Sequence, residues 1–110
     1  MSEIKTLYRY RQNDQVDRVG LILQEFNVIR PTARGWWISN YGMPKWVARE
    51  GRKAFARPTK EAALTDFQAR TTRRISILEN QLGRARVALL ASQSPDLTDH
   101  WIPEKYFFNV

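Results

Sequence analysis

At 110 residues the chain is long enough for one domain with a small core, and the absence of cysteine excludes disulfide-stapled folds, Cys-ligated zinc and thiol nucleophiles. With 43% hydrophobic and 12% aromatic residues it is neither disordered nor fibrous. The formal charge of +7, carried by 13 arginines and 5 lysines, points to an anionic partner, because the planar arginine fork makes bidentate contact with phosphate; a merely solvated basic surface is the plainer alternative.

The N-terminus, Met1 to Lys5, begins with acidic and polar groups, and no apolar run exceeds a few residues. These features predict no signal peptide, no membrane span and a cytoplasmic protein. Leu7 to Arg11 alternates, with Tyr8 and Tyr10 on one face, and predicts a strand. Gln12 to Arg18 is polar and reads as a turn. Val19 to Arg30 mixes branched and aromatic residues and stops at Pro31, which predicts a long, bulged strand. Pro31 to Gly35 is a turn, and Trp36 to Ser39 returns as the antiparallel partner. Asn40 to Pro44 makes another turn, followed by short strands at Lys45 to Arg49 and at Arg52 to Ala56.

Pro58 opens the best-marked helix. Thr59 can cap its first N–H groups, and Glu61 suits the positive end of the dipole. The sequence stays helix-compatible to Gln93, with Leu64, Phe67, Thr71, Ile75, Leu78, Leu82, Ala85 and Leu89 in one stripe at steps of three and four. Arg70, Arg73, Arg74, Asn80, Gln81 and Arg84 lie on the other side. Uninterrupted, such a helix is about 50 Å long at 1.5 Å per residue, against a radius of gyration of about 13 Å for a compact domain of this length. Gly83 is the one candidate break, and a helical glycine costs only about 1 kcal/mol relative to alanine. The expectation is therefore a bent or continuous helix within an oligomer, at least a dimer. After the linker at 94–99 comes an aromatic tail, His100 to Val110, containing Trp101, Tyr106, Phe107 and Phe108, which is too apolar to float and is expected to pack on its own sheet or on a neighbour.

Strands before one helix predict an α+β fold in a single domain: an antiparallel sheet over about 5–57, a helix over about 59–93 laid by its stripe on one sheet face, and the tail over 94–110. Catalysis is poorly supported. His100 is the sole histidine, and the carboxylates show no metal-ligand spacing and no carboxylate–histidine helical motif. No glycine-rich phosphate loop precedes the helix. The expectation is a non-enzyme with no cofactor and no metal site.

Binding is better supported. Trp36, Trp37, Tyr41, Trp46 and Phe55 lie among Arg34, Lys45, Arg49, Arg52, Lys53 and Arg57. Aromatic faces stack on bases and arginines neutralise phosphates, so this mixture suits a nucleotide or a single-stranded nucleic acid. The competing assignment makes Trp36, Trp46 and Phe55 the core face of the sheet, with the cations as its wet rim. Arg70, Arg73, Arg74 and Arg84 form a second constellation; like charges at i and i+4 repel, and an anion would relieve them. Otherwise they form an exposed basic face partly compensated by Asp66.

At Gly35-Trp36-Trp37-Ile38, at Lys45-Trp46-Val47, and along the stretch from Arg52 to Ala63 (RKAFARPTKEAA), the chain resembles a family of small bacteriophage proteins, the Thoeris anti-defence 1 family. The resemblance covers about residues 5–93. It implies a homo-oligomer, in the cytoplasm of an infected bacterial host cell, that sequesters cyclic ADP-ribose-type or cyclic oligonucleotide immune signals without degrading them. Position and chemistry then give Trp46, Phe55, Arg57, Arg70, Arg74 and Arg84 as candidate ligand-binding residues. The alternatives from other classes are a small basic nucleic-acid-binding protein and a protein inhibitor that docks on an acidic partner surface.

Overall fold

The computed structural model describes residues 3–93. Four antiparallel strands, β1 (Thr6–Asp14), β2 (Val19–Pro31), β3 (Gly35–Asn40) and β4 (Met43–Ala48), lie in the order β1-β2-β3-β4, and one helix, α1 (Lys60–Ser92), follows them. The fold is α+β. Among the described residues no helix is long and apolar enough to cross a membrane. By its internal contacts the chain divides into a unit ending at Ala69, which holds the sheet and the start of α1, and a second beginning at Arg70.

Within the first unit, β1 and β2 pair along their whole common length, from Thr6 opposite Asn27 to Asp14 opposite Val19, around a turn closed by Gln15 N–H donating to the Arg18 carbonyl at 2.8 Å. The bulge expected in β2 falls at Ile29, where the register to β3 shifts between Val28 and Arg30. It lets one long strand serve two partners and leaves Ile29 exposed. The β3–β4 hairpin turns on two residues, Tyr41 (φ 53°) and Gly42 (φ 85°), with Asn40 opposite Met43. Two successive positive φ angles are what a tight hairpin of primed type requires. The turn is thus shorter than the expected span of Asn40 to Pro44, and Pro44 lies inside β4, tolerated because β4 is the edge of the sheet.

Leu7, Phe26, Trp36, Ile38, Val47 and Ala56 form the buried cluster, with Ile4, Val28 and Phe55 packed against it. Leu7 faces Phe26 across one strand pair and Trp36 faces Val47 across another. The period-2 pleat therefore puts these residues on one side and Tyr8, Trp37 and Trp46 on the other. The segment after β4, expected as a strand over Arg52 to Ala56, is irregular. It reaches the free side of β1, where Tyr8 and Arg57 exchange two backbone hydrogen bonds, at 2.7 and 2.9 Å. On the way it presses Ala54 and Ala56 into the interior. Small side chains suit this path because they can approach the sheet closely, which a strand-propensity argument does not register.

The helix begins as expected: Ala62 N–H donates to the Thr59 hydroxyl at 3.1 Å, and Glu61 lies in the first turn. It passes through Gly83 without a break. The apolar stripe needs correction. Leu64, Phe67 and Thr71 are partly buried, but Ile75, Leu78 and Leu82 are about half exposed (50%, 49% and 50%), and Leu89 more so. From Ile75 to Gln93 the covered positions are instead Asn80, Gly83, Val87 and Ala91, a different helical face. The sheet's cluster is likewise drawn from the strands and the 54–56 segment, not from the stripe of α1. The expected tail, His100 to Val110, and the linker before it lie outside the described residues.

Candidate functional site

The aromatic residues that were grouped by sequence divide between the two sides of the sheet. Trp36 is 3% exposed and belongs to the core, whereas its neighbour Trp37 points the other way and stands opposite Trp46. Trp46, assigned to the core face in the competing reading, is 42% exposed. Phe55 packs on the core side, with its ring centroid 5.3 Å from that of Phe26.

Among the described residues, each ring of this set except Trp46 and Tyr41 carries a cation. Arg9 and Lys45 approach the Phe55 centroid at 4.7 and 4.5 Å, Arg49 lies 4.4 Å from that of Trp36, and Arg30 lies 5.8 Å from that of Trp37. Lys60 stands 5.7 Å from the ring of Tyr8. Arg9 is fixed further by donating from Nη1 to the Phe55 carbonyl at 2.8 Å. Tyr41 touches Phe26 edge-on, at 6.5 Å between centroids, and its hydroxyl accepts from Gln24 Nε2 at 2.8 Å.

Of the predicted site residues in the first unit, Arg57 is the most committed. Its Nε pairs with Asp66 Oδ2 and its Nη2 donates to the Gly51 carbonyl at 2.6 Å, so the side chain ties the crossing segment to the first turns of α1. Asp66, expected as a partial counter-charge to the arginine face of the helix, makes this ion pair with Arg57. In the second unit Arg70 is partly buried and Arg74 exposed, and Arg84 donates from Nε to Asn80 Oδ1 at 3.0 Å, one helical turn away.

A cleft of about 430 Å³ opens beside Trp46, lined by Ala33, Arg34, Trp46, Ala48, Arg49 and Glu50. It exists because of the hairpin register. With Gly35 opposite Ala48, the residues just outside that pair, Arg34 and Arg49, come together, and Arg49 N–H donates to the Arg34 carbonyl at 2.8 Å. Arg9, Arg34 and Arg49 were not among the predicted site residues. The signal for the last two was present in the sequence: a two-residue turn at Tyr41-Gly42 sets the pairing along the whole hairpin, whereas a longer turn reaching Pro44 moves the register and separates them.

No protein-family model, no curated protein and no solved structure matches this chain.

Proposed function

We propose that this protein binds an anionic nucleotide and sequesters it without cleaving it, as a bacteriophage anti-defence protein of the Thoeris anti-defence 1 type would sequester a cyclic ADP-ribose-type or cyclic oligonucleotide immune signal in the cytoplasm of the infected host. The observation that carries this reading is the way the sheet unit holds its cations. Arg30, Lys45, Arg49 and Lys60 lie on aromatic rings, with no carboxylate paired to them among the described residues. A ring orders a cation without neutralising it, so the charge stays available to a phosphate, while an ion pair would cancel it. Together with the net charge of +7, this favours an anion that also offers a flat ring. Arg70, Arg74 and Arg84 provide further cations on the helix.

The ligand would be held by a homo-oligomer. Ile75, Leu78, Leu82 and Leu89 keep 49% to 63% of their surface exposed along one helical face, and a second copy of the same face is the simplest cover for a stripe of that periodicity.

Calorimetry with cyclic ADP-ribose isomers and cyclic dinucleotides, followed by mass spectrometry of ligand released by heat, tests the proposal. Saturable binding with intact recovery supports it, and recovery of a hydrolysed nucleotide replaces the binder by an enzyme. Affinity that instead grows with oligonucleotide length and falls steeply with salt identifies a nucleic-acid binder.

A further inference from the structure

Three tryptophans fall among the described residues, and the structure treats them differently. Trp36 is buried beneath Arg49, and Trp37 carries Arg30. Among the described residues no cation lies over Trp46, and its ring lines an open cleft.

The indole of Trp46 is held in place by two devices. Its Nε1–H donates to the Thr32 hydroxyl at 3.3 Å, which satisfies its single polar atom. It also rests against the backbone of Gly35: a Cβ built there would lie 2.9 Å from Cζ2 and 3.0 Å from Cε2 of the ring. Glycine at 35 is therefore what allows the large ring to lie down on β3. A fixed indole whose donor is already used offers a ligand only its π surface, and it loses little freedom when a second ring stacks on it.

The cations of the cleft are arranged to complement that surface. Arg49 is positioned by the Trp36 ring and by donating from Nη2 to the Thr32 carbonyl at 3.1 Å. Arg34 sits on the exposed turn before β3, and its guanidinium pairs with no carboxylate among the described residues. Glu50 closes the rim. One carboxylate beside two arginines leaves a net positive charge of one, which suits a single nucleotide unit better than a run of phosphates and supplies an acceptor for an N–H or O–H of the base or sugar. The volume, about 430 Å³, lies in the range of small-molecule sites.

We propose that the cleft between Arg34, Trp46 and Arg49 is a nucleotide subsite in which a purine stacks on the Trp46 indole and a phosphate is taken by Arg34. This rests on the nucleotide-binding reading above and assigns it a place. Arg49 is a positioning residue for the turn as well as part of the positive field, and Glu50 faces the polar edge of the nucleoside.

The test uses the full chain with three probes: adenosine 5′-monophosphate, adenosine and ribose 5-phosphate. For the parent, adenosine monophosphate is expected to bind more tightly than either of the other two and to quench tryptophan fluorescence on stacking. Trp46→Ala should weaken adenosine monophosphate and adenosine by about tenfold each while leaving ribose 5-phosphate unchanged. Arg34→Gln should do the converse, weakening the two phosphate-bearing probes and sparing adenosine. Trp46→Phe keeps a stacking face and the fold, and should fall between parent and alanine variant. Because Trp46 also packs on Gly35, each variant is compared with the parent by far-ultraviolet circular dichroism, and the Phe and Arg34 variants decide if the alanine variant loses structure. If adenosine monophosphate binds Trp46→Phe and Arg34→Gln as tightly as the parent, the subsite is wrong, yet parent binding of cyclic ADP-ribose would leave the sequestration reading standing. A parent that binds none of the nucleotides overturns both.

Discussion

Gly35 and Trp46 occupy each other's space: the indole lies where a side chain at 35 would begin, and the same Cβ would also run into the Val47 carbonyl oxygen. Only glycine lets β3 and β4 close at this point with a tryptophan on the outer face. Gly35→Ala is accordingly expected to destabilise the sheet by about 2 to 3 kcal/mol through overpacking. The backbone oxygen cannot retreat as a flexible side chain would. Urea denaturation against the parent measures this, and a variant with an unchanged midpoint would contradict the close approach.

Arg57 and Asp66 form an ion pair whose side chains are 19% and 25% exposed, between the extremes of surface and interior. Exposed pairs contribute about 1 kcal/mol or less, whereas removing one partner of a fully buried pair costs about 3 to 5 kcal/mol. Asp66→Asn is expected to cost about 1 to 2 kcal/mol, since the amide still accepts from Arg57 but no longer balances its charge. A double-mutant cycle with Arg57→Gln isolates the pair, and a coupling near zero would show that the two groups are independently solvated.

Leu7 and Leu78 contrast the core with the half-exposed apolar face of the helix. Leu7 is fully buried, so Leu7→Ala should cost about 2 to 5 kcal/mol. Leu78 is 49% exposed, and Leu78→Glu is expected to leave the helical signal intact while lowering the mass in light scattering toward the 12.9 kDa of one chain. A parent that is already a monomer at micromolar concentration would remove the oligomer from the proposal.

Thr59 caps α1 through its hydroxyl, and Thr59→Ala should cost about 1 kcal/mol. Thr59→Ser, which keeps the acceptor, should cost far less. Thermal melts of the two variants side by side check the difference; equal losses would mean that the methyl group, not the oxygen, matters.

Arg70→Glu with Arg74→Glu inverts two charges on the helix and keeps good helix propensity. The double variant is expected to lose at least tenfold in nucleotide affinity with its far-ultraviolet spectrum unchanged. Calorimetry with cyclic ADP-ribose decides, and undiminished affinity would confine binding to the sheet unit.

The sequence by itself determined most of the elements of this protein, the expected strand over Arg52 to Ala56 excepted. Alternation marked β1, the branched run up to Pro31 marked β2 and its bulge, and Thr59 marked the start of α1, because each signal is local and acts through backbone sterics, pleat or capping. Arginine excess and interleaved aromatics are compositional facts, and the proposal of an anionic ligand starts from them. Tertiary structure alone decided which tryptophan is available. Trp36, Trp37 and Trp46 read alike in sequence, yet a two-residue turn at Tyr41-Gly42 sets the pleat so that Trp36 is buried and Trp46 faces out. It also decided that the segment holding Ala54 and Ala56, which reads as a strand, takes an irregular path that buries both alanines and brings Arg57 to the free side of β1. Likewise, periodicity places Ile75, Leu78 and Leu82 on one face of the helix but carries no information about whether anything covers that face; burial is a property of what arrives opposite, which the spacing of residues along a single element does not encode.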